Sequence, residues 1–182
     1  MINLSQSLAI NPFLKTLSLT YCSIDAAAAQ AIFEILIFTR SALEEINLSG
    51  NFLRNEGVKR VLLGASIAKS LKRLLMADNQ FNDDEPMVRA MECCMVKNKT
   101  LSKYDFKYNN ISDKGKFYLS FVTTFAALDR LTQILTTDAT HVTGIEVPPR
   151  IVNKDIFNNF SDALAANLKA GKKGKKKGKK KK

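Results

Sequence analysis

One frame of leucine-type residues recurs four times along this chain, and it constrains the fold more than any other feature. The sharpest copy runs from Leu43 to Leu53 with Ile46, Leu48 and Asn51 between, which is the pattern L-x-x-L-x-L-x-x-N-x-L. Upstream, Leu14, Leu17, Leu19, Cys22 and Ile24 take the same places. Downstream come Leu71, Leu74, Met76, Asn79 and Phe81, then Leu101, Tyr104, Phe106, Asn109 and Ile111. The copies begin at positions 14, 43, 71 and 101, at intervals of 29, 28 and 30 residues. Self-similarity at such a period marks a stacked array, in which each unit buries its apolar side against the next.

Within each block the apolar positions alternate, which is the period of a strand with one face buried. The spacing predicts parallel strands near 16 to 20, 45 to 49, 73 to 77 and 103 to 107, with Leu17, Leu48, Leu74 and Phe106 among the most buried residues. The Asn position turns the chain, and its amide can pair backbone groups that would otherwise be buried alone. Cys22 holds that place in the first copy, so a structural role is expected for it. Helices are predicted between the strands. Asp25 should cap an alanine-rich one, Asn55 a second, and Asp83 or Asp84 a third with Pro86 in its first turn. Ser112 or Asp113 should cap a fourth. Gly57 and Gly115 fall four residues after the last frame position of their copies, where a glycine allows close approach of helix and strand.

A unit of about 28 residues with a full helix resembles the ribonuclease-inhibitor-like class of leucine-rich repeats. The resemblance covers residues 5 to 127. It implies an α/β leucine-rich-repeat solenoid: a right-handed horseshoe arc with parallel strands on the concave face and helices on the convex face. That class holds protein-binding inhibitors, Ran GTPase activators, tropomodulin-like actin cappers, innate immune sensors and axonemal scaffold subunits. Three segments are expected: repeats over 1–127, a degenerate C-terminal cap over 128–170, and a disordered polylysine tail over 171–182. Residues 1 to 13 read as the end of a repeat, as in a fragment of a longer array or an irregular cap. In the cap, Leu131, Ile134 and Thr136 suggest a degenerate fifth strand, and His141–Val147 is strand-like by its β-branched content. Pro148 and Pro149 should end that run. Ile156, Phe157, Phe160, Leu164 and Leu168 lie on one face of a closing helix that Gly171 should stop.

Hydrophobic residues make 46% of the 182, which fits a folded chain. The net charge of +11 is misleading when read globally: nine lysines sit in 171–182, which leaves +2 for the rest. Three cysteines, two of them adjacent (Cys93 and Cys94), make no disulfide framework and point to a reducing compartment. No basic amino-terminal region or run of about 20 apolar residues is present, so a leader or membrane span is not expected. The expected location is cytoplasmic, cytoskeletal or axonemal, or nuclear. The single histidine, His141, has no cysteine or acid at metal-ligand spacing. No nucleophile elbow, catalytic triad or phosphate loop is found, so neither enzymatic chemistry nor a cofactor or metal is expected.

Two surfaces remain as binding candidates. The first is the concave face, where the residues between the inward leucines project. Its candidates are Tyr21, Glu45, Asn47, Arg73, Leu75, Asp78, Lys103, Asp105, Lys107 and Tyr108. They should form ladders across repeats, turning basic around Arg73, Lys103 and Lys107, with the tyrosines and Leu75 as anchors for a protein partner. The second is the tail: Lys172, Lys173, Lys175, Lys176, Lys177, Lys179, Lys180, Lys181 and Lys182. Such a run attracts polyanions such as RNA or acidic tubulin-like protein tails without reading sequence, since it has no aromatic residue for base stacking. The main expectation is a non-enzymatic interaction scaffold with electrostatic attachment through the tail. The alternatives are an enzyme regulator of the GTPase-activator or inhibitor kind, and an RNA-associated protein.

Overall fold

The computed structural model of the protein describes residues 8, 11–111, 127–147 and 154–179. In chain order the elements are β1 (Thr16–Ser18), α1 (Ala29–Ile37), β2 (Glu45–Asn47), α2 (Arg54–Ile67) and β3 (Arg73–Leu75). There follow α3 (Glu85–Lys97), β4 (Lys103–Asp105), α4 (Ala127–Thr137), β5 (Gly144–Glu146) and α5 (Lys154–Lys179). The strands form one sheet in the order β1-β2-β3-β4-β5, parallel throughout. Leu17, Ile46, Leu74, Tyr104 and Ile145 stand in line across it. Each strand is three residues rather than five, yet pairing continues beyond it. The Leu19 N–H donates to the Asn47 carbonyl at 2.8 Å, and the Tyr21 N–H to the Ser49 carbonyl at 3.1 Å.

The frame positions build the core. Leu43, Ile46, Leu48, Leu71, Leu74, Met76, Leu101, Tyr104 and Phe106 are all buried. Phe81 and Phe106 meet edge to face with centroids 5.8 Å apart, so aromatic contacts tie two repeats together. The expectation fails at Leu17, which is only half-buried, as are Leu14 and Leu19. β1 is the first strand of the described sheet and is covered on one side only.

A second line of support runs through the asparagines. Asn51, Asn79 and Asn109 are buried. Asn51 Oδ1 accepts the N–H groups of Cys22 and Ile24 at 3.0 Å each, while its Nδ2 donates to the carbonyls of Leu19 at 2.8 Å and Leu48 at 2.7 Å. Asn109 Oδ1 accepts the Asn79 N–H at 2.8 Å, and its Nδ2 donates to Met76 at 2.9 Å and Phe106 at 3.1 Å. Cys22, in the equivalent place, is exposed, and its thiol reaches the Thr20 carbonyl at 3.3 Å.

The helices start close to where the sequence puts them, with differences in how they are capped. Asp84 caps α3 by accepting the Met87 N–H, with Pro86 in the first turn. Asp25 accepts the Ala28 N–H and closes a turn ahead of α1, which begins at Ala29. Asn55 does not cap α2. It lies inside the helix and bonds the next repeat through Asn82 at 2.7 Å and Asp84 at 2.6 Å. Gly57 does permit a close approach: a Cβ there would lie 3.1 Å from Ala26 Cα. Gly64, one further heptad along α2, would bring a Cβ to 3.2 Å from Phe33 and Leu36 of α1. The expected caps Ser112 and Asp113, and Gly115 with its helix, lie outside the described residues, as do Pro148 and Pro149.

The cap is corrected in three places. Leu131, Ile134 and Thr136 belong to α4, not to a strand. Leu131 and Leu135 are buried at helical spacing, and the fifth strand comes from Val142-x-x-Ile145-x-Val147 instead. Residues 142 and 145 pack beneath it in register with Leu101 and Tyr104, so the last interval widens to 41 residues. The closing helix buries Phe160, Ala163 and Asn167, leaving Phe157 and Leu168 exposed. Asn167 Nδ2 donates to the carbonyls of Leu135 and Val142, 3.1 Å each, and pins α5 to both preceding elements. Finally, α5 does not stop at Gly171 but runs to Lys179. Glycine keeps its N–H and costs only about 1 kcal/mol in a helix, while lysines near a helix C-terminus complement the macrodipole.

His141 sits where the cap meets the fourth repeat, with its Nε2 buried and unpartnered among the described residues. Burial, against an opposing backbone hydrogen bond at Asn98 and aided by the Lys99 charge, holds its pKa below the ordinary 6.5. The unfolded chain therefore takes the proton first, and stability drops as pH falls through 6.5. His141→Gln should flatten the decline in Tm between about pH 7.5 and about pH 5.5; an identical decline in wild type and variant would remove His141 from the cause.

The array itself makes two further expectations. Leu48→Asp places an unpaired charge between repeats and should unfold most of the chain; unchanged circular dichroism would refute the register. Asn109→Ala strips the partners from three buried backbone groups and should cost at least about 3 kcal/mol, read as a lowered urea midpoint.

Candidate protein-binding face

The sheet residues that alternate with the core positions face away from the helices and form three rows. The first is Thr16, Glu45, Arg73, Lys103 and Gly144. The second is Ser18, Asn47, Leu75, Asp105 and Glu146. The third continues along the extended chain through Thr20, Ser49, Ala77 and Lys107. Glu45 and Arg73 are neighbours, as are Arg73 and Lys103, just as the ladder predicts.

The charges on these rows largely cancel. Arg73 forms an ion pair with Glu45. Lys107 pairs with Glu146 at 2.6 Å and lies 3.8 Å from Asp105. Its hydrogen bond to Glu146, with the nearby Asp105 charge, holds the Lys107 ammonium above the ordinary lysine range. Lys103 makes no ion pair among the described residues. The basic patch read around Arg73, Lys103 and Lys107 is therefore mixed in sign, because Glu146 arrives from β5, a strand outside the recognised frame. Leu75 is half-buried and Asn47 bonds the Ser49 N–H at 3.0 Å, so neither stands fully in solvent.

A fourth row borders the face where the chain turns toward the helices. Tyr21, Gly50, Asp78 and Tyr108 each precede the Asn position of their repeat and each take the left-handed conformation, with φ of 53°, 71°, 50° and 58°. The sequence frame gives no warning of this, since the position is unconstrained in side-chain type. Tyr21 and Tyr108 are 79% and 68% exposed, which is unusual for aromatic side chains held on a regular scaffold. The Tyr21 ring lies over Gly50, where a Cβ would come within 2.3 Å of it. A side chain at Gly50 would have to displace that ring.

The lysines of the tail are placed in part. Lys172 is exposed on α5, and Lys173, Lys175, Lys176, Lys177 and Lys179 fall on the same helix. Lys180, Lys181 and Lys182 lie outside the described residues. The cysteine pair Cys93 and Cys94 belongs to the packing of α3. Cys94 is buried 3.9 Å from the Tyr104 hydroxyl, and burial pushes its thiol up to about 12, far from a reactive thiolate. No described helix is long and apolar enough to cross a membrane.

Comparison with known proteins agrees with this geometry. A family model for the leucine-rich repeat matches residues 11–33, the first unit and the one whose Asn position holds Cys22. No curated protein matches the chain. Among solved structures, actin-binding site 2 of leiomodin-1 is similar, with a TM-score of 0.76 and 11% identity over 97% of this chain and 94% of that one. The C-terminal domain of Caenorhabditis elegans tropomodulin is also similar, with a TM-score of 0.69 and 11% identity over 94% of this chain and 97% of that one. At such identity the likeness concerns the fold. With the repeated frame, the parallel ladder and the matched unit together, the chain is a leucine-rich-repeat protein.

Proposed function

We propose that this protein is a non-enzymatic interaction scaffold that holds a protein partner on the helix-free face of its sheet. One observation carries the reading: two widely exposed tyrosines border a rigid parallel sheet whose remaining charges are mostly paired. Exposed aromatics on an ordered backbone bury much area at little entropic cost, the usual chemistry of an interface hot spot. The likeness to an actin-binding site of leiomodin-1 over nearly the whole of both chains makes actin the first partner to try. Tyr108→Ala combined with Arg73→Glu should weaken binding at least about ten-fold while leaving helicity intact. Equal binding by wild type and double variant would move the interface to the helices, where Leu63 and Ile67 are exposed.

The lysine segment supplies a second, electrostatic contact to anionic partners such as RNA or acidic protein tails. Truncation after Ala170 removes nine lysines and none of the buried core, so the Tm should hardly move. Affinity for RNA or for an acidic tubulin-like peptide should fall sharply on truncation and decline steeply with salt in the full chain. Undiminished polyanion binding by the truncated form would reduce the segment to a solubility device.

A further inference from the structure

We propose, building on the reading of the sheet face as a protein-binding surface, that its turn row takes an arginine or lysine side chain from the partner. The cation is set against Asp78, and its stem lies along the Tyr108 ring. Asp78 and Tyr108 hold equivalent places in adjacent repeats. The Asp78 N–H donates to the Lys107 carbonyl at 2.9 Å, so the two turns stay in the register of the ladder, about 4.8 Å apart. Both residues are exposed.

Charge decides the kind of occupant. The two basic groups in the middle of the face are already engaged, Arg73 by Glu45, and Lys107 by Glu146 with Asp105 beside it. The remaining cation, Lys103, lies at the opposite end of β4, five residues from the turn row. Asp78 makes no ion pair or side-chain hydrogen bond among the described residues. An acidic segment would be repelled there and an apolar one would strand the carboxylate. A guanidinium or ammonium satisfies Asp78 and stacks on the neighbouring tyrosine, and the planar guanidinium does both best. Conformation alone does not account for the aspartate. Asp tolerates the left-handed turn, but so does the glycine at position 50, and the Asp78 carboxylate makes no local bond in return. On the other side, the Tyr21 ring over Gly50 closes the row, leaving Asp78 and Tyr108 as its open segment.

The test is selection of a random-peptide display library on the full chain, followed by titration of the selected peptides. Peptides that bind the face should share an arginine or lysine. Their affinity should fall at least about ten-fold with Asp78→Asn, which keeps the shape and the turn preference, and with Tyr108→Leu, while Tyr108→Phe retains it. Thermal melts should show each variant folded. Peptides lost with Leu75→Arg yet lacking a shared basic residue, and indifferent to Asp78→Asn, would overturn this inference while leaving the face a binding surface. Peptides indifferent to every one of these substitutions would overturn both.

Discussion

The pairing of buried backbone through side-chain amides holds this fold together. A parallel strand of three residues leaves polar backbone groups at both ends, and here those ends are covered by the next turn, away from water. Asn51 alone bonds two N–H groups of the preceding repeat and one carbonyl from each of two repeats. Asn109 likewise joins its own repeat to the one before it. Asn98 repeats the device at the other end of the strand. Its Nδ2 donates to Ala65 and Ala68, and its Oδ1 accepts from Thr100 and Leu101. Apolar burial supplies the greater share of free energy, but it is not directional. The amides set the register, and the register places every residue of the open face.

From that register follows the character of the face. The left-handed turn before each asparagine aligns Tyr21, Gly50, Asp78 and Tyr108 into one border, whatever their side chains. Because the turn is demanded by the ladder, the border is free to vary chemically without loss of the fold, and an array of this kind can change partners by changing such positions. The ion pairs across the strands work differently. Glu45 with Arg73 and Lys107 with Glu146 are partly exposed, so each contributes little stability. Their effect is to remove net charge from the middle of the surface.

How much of this is legible in the sequence depends on the physics behind each feature. The inward positions are read directly, since Ile46, Leu74 and Tyr104 alternate with neighbours on the open face and are indeed buried. The fifth strand escapes the frame because its repeat is 41 residues long, and Leu131 and Ile134 mimic the frame at about the expected distance. Helical spacing and strand spacing share an i, i+3 pair, so two apolar residues cannot separate them. Leu17 reads as deeper than it is because burial depends on a neighbour that a single repeat does not contain. In the candidate face the ladders of Glu45, Arg73 and Lys103 are readable, whereas the charge balance is not. Glu146 reaches Lys107 only through the strand that the frame fails to mark.

The extension of α5 into the lysine segment sets opposing terms against one another. Its side chains have nothing to bury, and like charges at helical spacing cost about 0.2–0.5 kcal/mol per pair. Against that, α5 is already nucleated by Phe160, Ala163 and Asn167, so each further residue extends an existing helix without the cost of starting one. Lysine is a good helix former, and its charge opposes the partial negative charge at a helix C-terminus. Three glycines at 171, 174 and 178 subtract about 1 kcal/mol each, so the extension is finely balanced. Neutralising the lysines removes their mutual repulsion together with their macrodipole contribution and leaves the intrinsic propensity in place. The polyanion binding proposed above would change that balance, and any coupling between binding and helix formation would be reciprocal.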